Sequence, residues 1–418
     1  MKNRNIFTRR VNRDVHSLHF IGIGGIGMSG LAKVLLEMGY RISGSDVRRN
    51  SLIRGLEEKG AIIYEGHSPS YPARADLVVA SSIIPFDNPE LEEARRRKIP
   101  IISRGRLLSY FVNSGEGIVV AGTHGKTTTT CLIYVIFKQA GKDPTAFVGG
   151  ELNDTGGNSE FGGDKYVVAE SDESDGSFLL LSAKIAVLTS LEDDHLDYYG
   201  SEDKLIKTFR EFGERLKSGG TLIVNKDEKN LRKVLKEVSL NSSQKVVTYG
   251  INSEANLSAY SIKLEKFGCS YRVRYKGKPL GEVNLPLPGQ YNIYNSLAAI
   301  SVGRMLGIPW RKIKDALYSF QGVKRRFERV GETRSGILVI DDYAHHPTEI
   351  KATLKVAKKL GRRIIAVFQP HRYTRTKLLL DKFALSFQKA DVLLLTDVYP
   401  AGEAPIPGVS GKLLFDVV

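Results

Sequence analysis

An α/β fold divided among three domains is what this sequence predicts. Three observations carry it. Strand-like and helix-like segments alternate along most of the chain, the pattern of βαβ units around parallel sheets. Two glycine-rich turns, Gly22–Gly27 and Gly122–Gly125, each stand between an apolar strand and a helical run. The length of 418 residues suits two to four domains, at roughly 100–200 residues per domain.

The first domain spans residues 1–115 and reads as Rossmann-like. Leu18–Ile23 is apolar and β-prone, and after its glycine turn Met28–Met38 is helical. Arg41–Gly44 and Ala61–Tyr64 are short strands, Leu77–Ser81 a buried strand, and Pro89–Lys98 a charged helix ahead of Pro100. Asn113–Gly117 reads as a soft linker. The second domain, 116–322, opens with the strand Ile118–Ala121, the loop Gly122–Gly125 and a helix from Lys126 to Ala140. Tyr166–Ala169, Ile185–Thr189 and Leu222–Val224 are further buried strands. Residues 245–285 alternate polar and apolar types between turn signals, which predicts antiparallel hairpins. A helix follows at Asn295–Leu306. The third domain, 323–418, is again Rossmann-like, with strands Ile337–Ile340, Ile364–Phe368 and Val392–Leu395 and helices Pro347–Lys359 and Lys377–Gln388.

Bulk composition narrows the class. Hydrophobic residues at 42% and charged residues at 26% are ordinary for a globular protein with packed cores. The net charge of +15 suits small anionic substrates as well as nucleic acid or membrane surfaces. Yet the basic residues are scattered rather than striped, apart from Lys2, Arg4, Arg9, Arg10 and Arg13 at the start and Arg95–Lys98, a solvated helix face. No nucleic-acid partner is expected. Cys131 and Cys269 stand far apart, without metal-type spacing or a disulfide framework. No apolar h-region follows the basic start, and no apolar run approaches the ~18 residues of a membrane span. The expectation is a cytoplasmic protein without a membrane partner.

The strongest local signal is Gly122-Thr123-His124-Gly125-Lys126-Thr127. Glycines let backbone N–H groups approach phosphate oxygens, and a helix N-terminus adds a positive field. Lys126 would reach terminal phosphates and the Thr127 hydroxyl would hold Mg²⁺. The general P-loop has a glycine where this chain has Val120. Glu170 ends the strand before it and is placed to complete a Mg²⁺ shell, whereas Asp172, Glu173 and Asp175 read as solvated loop acids. His195, among the acids of Glu192–Asp197, is a candidate second metal ligand. Gly22, Gly24, Gly25 and Gly27 with Asp46 match the dinucleotide fingerprint. Alone that reads as NAD; beside a second nucleotide loop it suits another diphosphate equally. Asp341–Pro347 and Gln369–Arg375 each follow a strand and gather His345, His346, His371, Arg372 and Arg375, side chains suited to phosphates and carboxylates.

Together, His19–Gly30, Gly122–Thr128, Asp341–Glu349, Phe368–Thr376 and Asp397–Gly408 resemble the Mur ligases, a likeness running from about residue 18 to 410. The resemblance implies an ATP-dependent ligase that joins L-alanine to the lactyl carboxylate of UDP-N-acetylmuramate through an acyl phosphate. It implies that the first domain binds the UDP-sugar, through Gly22, Gly24, Gly25 and Gly27 and through Asp46, His67, Ser81, Ser82 and Arg104. ATP would lie on Gly122, Thr123, His124, Gly125, Lys126, Thr127 and Thr128, with Asn292, Asn295, Arg326, Asp342 and His345 around it. Thr127 and Glu170 would hold one Mg²⁺ and His195 a second. Tyr343, His371, Arg372 and Arg375 would hold L-alanine, with Lys126, His195 and His345 as the catalytic set. A monomer or weak dimer is expected, closing about hinges at 113–117 and 322–324. Family members continue beyond the segment matching Gly402–Gly408 with further strands and a helix, so an incomplete third domain is expected here.

Overall fold

The computed structural model describes residues 14–153 and 157–418, so the basic run Lys2–Arg13 lies outside the described residues. The first unit runs β1 (Ser17–Ile21), α1 (Ile26–Glu37), β2 (Arg41–Asp46), α2 (Ser51–Glu58), β3 (Ile62–Glu65), β4 (Leu77–Ala80), α3 (Pro89–Arg96), β5 (Ile101–Ser103) and α4 (Arg104–Ser114). Its sheet is parallel, in the order β3-β2-β1-β4-β5. Leu18, Phe20, Ile21, Leu77, Val78 and Val79 are fully buried, as strands covered by helices on both faces must be. The strand order reverses at β1, so a crevice opens at its carboxyl end, where Gly22 stands beside Ser81.

The second unit comprises β6 (Glu116–Ala121), α5 (Lys126–Gln139), β7 (Pro144–Leu152), β8 (Gly157–Glu160), β9 (Gly163–Glu170), β10 (Ile185–Leu188), α6 (Leu196–Tyr199), α7 (Glu202–Glu214), β11 (Thr221–Asn225), α8 (Lys229–Glu237), β12 (Lys245–Gly250), β13 (Leu257–Leu264), β14 (Cys269–Tyr275), β15 (Lys278–Leu285), α9 (Gln290–Met305) and α10 (Trp310–Tyr318). One ten-stranded sheet orders them β15-β14-β13-β12-β11-β10-β6-β9-β7-β8. Only part of the predicted antiparallel stretch is antiparallel: β13, β14 and β15 are, but β12 pairs parallel with β11 and with β13. The apolar sides of α5 and α9 pack together on this sheet, burying Leu132, Ile136, Leu297 and Ile300.

The third unit carries β16 (Glu328–Glu332), β17 (Leu338–Asp341), α11 (Pro347–Lys358), β18 (Ile365–Phe368), α12 (Tyr373–Leu378), α13 (Leu380–Ala384), β19 (Val392–Leu395) and α14 (Gly411–Val417). β16 and β17 form an antiparallel pair, β18 and β19 a parallel one. The single helix expected over Lys377–Gln388 is instead the two short helices α12 and α13. Among the described residues no helix is long and apolar enough to cross a membrane.

Asn113–Gly117 is not the soft linker expected. Helix α4 runs to Ser114 and β6 begins at Glu116. The Asn113 amide donates to Leu180 O at 3.0 Å and its carbonyl accepts from Ser182 N at 2.7 Å. A Cβ on Gly115 would stand 3.0 Å from two backbone oxygens of β9. Small polar residues here serve close packing. At the other junction, Val323 bridges to Leu152 and Lys324 N donates to Glu151 O.

Candidate active site

The second glycine loop is shaped by what surrounds it. Gly122 has φ +138°, and a Cβ there would lie 2.2 Å from Thr189 Oγ1. Gly125 caps α5 at φ +79°, where a Cβ would lie 2.3 Å from Asn295 Oδ1. Neither position admits another residue, so the backbone stays open at the helix N-terminus.

Lys126 follows at once and is half-buried. Its Nζ donates to Gly122 O at 2.6 Å and to Glu173 Oε1 at 2.7 Å. Glu173 is 3% exposed, so its expected place among solvated loop acids is corrected: it is the lysine's counter-ion. Burial pushes its carboxyl up to about 7, against the opposing pull of Lys126. Asp172 is also engaged, 2.9 Å from Arg104 of the first unit. Asp175 accepts from Ser177 N and stays partly exposed.

Thr127 donates its hydroxyl to Glu170 Oε1 at 3.0 Å, and Gly149 N fixes the other carboxylate oxygen at 2.7 Å. Arg326 reaches the same hydroxyl at 3.3 Å. Asn292 and Asn295 are buried on α9 and bond each other at 3.1 Å. His124, Gly125, Asn292, Asn295, Arg326 and Asp342 share the wall of one cavity of about 440 Å³ between the second and third units. Thr123 Oγ1 and Thr128 stand at the loop's flank and first turn.

Three consecutive acids on the loop after β10 hold the third unit. Glu192 accepts from Thr348 Oγ1 at 2.6 Å, Asp193 pairs with Lys382, and Asp194 with Arg375 at 3.2 Å. His195, at φ +56°, lies beside Asp194 with a buried, unpartnered Nδ1. Burial, aided by Arg375 and Lys126, lowers its pKa. For His124 burial opposes the proton, but Glu192 and Glu349 outweigh it and carry the imidazole up to about 10.

In the third unit Tyr343, His345 and His371 gather, with His345 5.0 Å from the tyrosine ring and 5.5 Å from the His371 ring. Burial lowers His345, and burial with neighbouring cations brings His371 down to about 4. Arg375 touches His371 Nδ1 at 3.1 Å, while Arg372 pairs with Glu403 at 2.6 Å. Both guanidinium groups already hold carboxylates. Asp342 accepts from Phe327 N and Ala344 N, which fixes the turn leading to these rings.

The first-unit candidates gather at a separate crevice. Gly22 adopts φ +80°, Asp46 Oδ2 accepts from Gly24 N at 2.8 Å, and a Cβ on Gly27 would meet Arg104 Cδ at 3.0 Å. His67 is held by Glu90 at 2.6 Å. Ser81 lies against Gly22, and Ser82 is exposed. Arg104 touches both this crevice and the acid beside Glu173. Sequence reasoning missed Glu173, Glu192 and Glu349. The last had a signal, the spacing His346-Pro347-Thr348-Glu349 of a capping box, which α11 indeed forms.

Residues 17–115 match the description "Mur ligase family, catalytic domain", 120–303 "Mur ligase middle domain", and 325–418 "Mur ligase, glutamate ligase domain". A UDP-N-acetylmuramate–L-alanine ligase from Geotalea daltonii is 47% identical over 401 residues, covering 96% of this chain and 86% of the relative. One from Geobacter sp. strain M21 is also 47% identical, with the same coverage. Among solved structures, the UDP-N-acetylmuramate–alanine ligase MurC of Thermotoga maritima superposes with TM-score 0.81 at 31% identity, covering 96% of this chain and 87% of that one. A murein peptide ligase from Psychrobacter arcticus gives TM-score 0.76 at 27% identity, covering 96% and 88%.

Proposed function

Because the chain belongs to the Mur ligase family, we propose that it joins L-alanine to the lactyl carboxylate of UDP-N-acetylmuramate, converting ATP to ADP and phosphate. The reaction makes a peptidoglycan precursor, in the cytoplasm, by a monomer or weak dimer. The observation that carries the reading is the half-buried Lys126 at the head of α5, paired with Glu173 next to the Thr127–Glu170 oxygen pair, on the loop whose His124 and Gly125 line one cavity with Asn295 and Arg326.

A carboxylate anion is a poor electrophile, so it is activated first. A lactyl carboxylate oxygen bonds the γ-phosphorus of ATP, and the bond to ADP breaks. The amine of L-alanine then bonds the acyl carbon, and phosphate leaves. Both steps gather negative charge, which Lys126 and the loop amides offset, while His345, lowered by burial, contributes a hydrogen bond rather than a charge. Thr127 Oγ1 and Glu170 Oε1, 3.0 Å apart, are hard oxygen donors of the kind Mg²⁺ takes, and His195 would serve a second ion. Bound there, Mg²⁺ would draw off charge from the phosphate oxygens. Gly22–Gly27, with Asp46, His67, Ser81, Ser82 and Arg104, seats the UDP-sugar. Tyr343, His371, Arg372 and Arg375 hold L-alanine. The amine must shed a proton; His371, and His195 when it holds no ion, are both lowered by burial, are neutral near pH 7 and are the candidate acceptors.

A second reading, addition of a ready-made tripeptide to the same sugar, draws on the likeness to the murein peptide ligase. The 47% identical relatives favour L-alanine. Phosphate release is measured with ATP, Mg²⁺ and UDP-N-acetylmuramate, comparing L-alanine, the tripeptide and no amine. Release that depends on L-alanine is expected. Release with the tripeptide alone moves the function to the second reading, and no dependence on either amine overturns both.

A further inference from the structure

We infer that His124, Glu192 and His346 form a site for one divalent transition-metal ion of the zinc class, joining the second glycine loop to the N-terminus of α11. The site stands apart from the Thr127–Glu170 oxygen pair and does not depend on the ligase reading. One donor atom from each of the three residues lies within 4.8 Å of the other two. His124 Nε2 is 3.6 Å from Glu192 Oε2, and His346 Nδ1 is 3.8 Å from that same oxygen. Donors around a tetrahedral zinc, with bonds of about 2.0–2.1 Å, stand about 3.4 Å apart. Small side-chain shifts therefore complete the set. Two imidazoles and one carboxylate suit zinc-class ions better than Mg²⁺.

A second observation is independent of the spacing. Nε2 of His124, the atom that faces Glu192, is buried without a hydrogen-bond partner. A buried polar atom left unpaired is costly and calls for an explanation. The far side of His124 is already arranged for metal ligation: its Nδ1 faces Glu349 Oε1 at 3.1 Å. A carboxylate on the second ring nitrogen fixes ring orientation and raises the basicity of the first. Glu192 is oriented in turn by Thr348 Oγ1. On His346, Nδ1 accepts from the Thr348 amide at a long 3.3 Å, a bond easily exchanged for a metal. Three protein donors leave a fourth position open, and His124 and Glu192 line the large cavity where a water or ligand atom would fill it. Because His124 and His346 sit on different units, the ion would fasten one to the other.

The test is a cobalt(II) titration of the metal-stripped full chain in excess Mg²⁺, followed by visible absorption. One equivalent should bind with the d–d bands of a four-coordinate site, and zinc should displace it. Glu192→Gln and His346→Gln should each weaken binding more than ~10-fold, and Glu349→Gln, which removes the orienting group, about 10-fold. His195→Asn should leave the spectrum unchanged. Absence of a stoichiometric band, wild-type affinity in both ligand variants, or loss of the band in His195→Asn overturns the site. Should His346→Gln fail to fold, Glu192→Gln, on a partly exposed loop, decides alone.

Discussion

The two glycine loops share a plan and differ in what they hold in reserve. Each follows a buried parallel strand and opens a helix. The first loop carries no cation of its own: Asp46 holds the Gly24 amide, and Arg104 lies over Gly27 from α4. The second places Lys126 inside the loop, neutralised by Glu173 until an anion arrives. One loop offers shape and backbone, the other shape and a paired cation. A glycine pattern alone therefore says where phosphate can lie, not how strongly charge in the transition state is met.

Predictions can break or sharpen this contrast. Lys126→Ala should have the largest effect, a fall in kcat of about 10²–10³-fold, comparable to losing one oxyanion donor; steady-state phosphate release checks it, and near-normal turnover would remove the distinction between the loops. Glu173→Gln should lower the stability of the ligand-free protein by about 1–3 kcal/mol, because the half-buried Lys126 loses its charged partner. Thermal melting should show ATP with Mg²⁺ restoring most of that loss; equal melting curves for variant and parent without nucleotide would show that the charge is not stored. Gly22→Ala should cost about 1–2 kcal/mol, the left-handed penalty at φ +80°, and should raise KM for the UDP-sugar while leaving KM for ATP alone. Asp46→Asn should be mildest, about 0.5–1.5 kcal/mol for a weakened bond to Gly24 N, read by denaturant midpoint; a large loss of turnover would mean that Asp46 does more than hold its loop.

The alternation of strands and helices was legible because parallel strands must be apolar along their length, as Leu77–Ala80 and Ile185–Leu188 are. β16 was not, since Glu328, Arg329 and Glu332 interrupt it and Val330 is exposed. Helix α4 hid behind Asn113 and Gly115, whose small polar character signals a loop, while Asn113 is bonded to Leu180 and Ser182 and Gly115 fits against β9. In the site, Lys126, Thr127 and Glu170 were legible because chain position after a strand fixes where they point. Glu173 was not. In Glu170–Asp175 acids of one type stand within a few residues, and only the path of the chain decides that Glu173 is buried on Lys126 while Asp175 faces water. Arg372 and Arg375 were legible as cations, but not their pairing with Glu403 and Asp194.

The run Glu192-Asp193-Asp194 has a consequence in ionic strength. Each acid holds a different part of the third unit, and the grips differ in exposure. Lys382 and Asp193 are 50% and 35% exposed, within reach of salt; exposed pairs contribute about 0–1 kcal/mol, and less as the Debye length shrinks. Arg375 and Asp194 are 5% and 11% exposed, largely beyond screening. Raising salt should therefore loosen the outer margin of the contact before its centre, so that the third unit pivots about Arg375 rather than detaching.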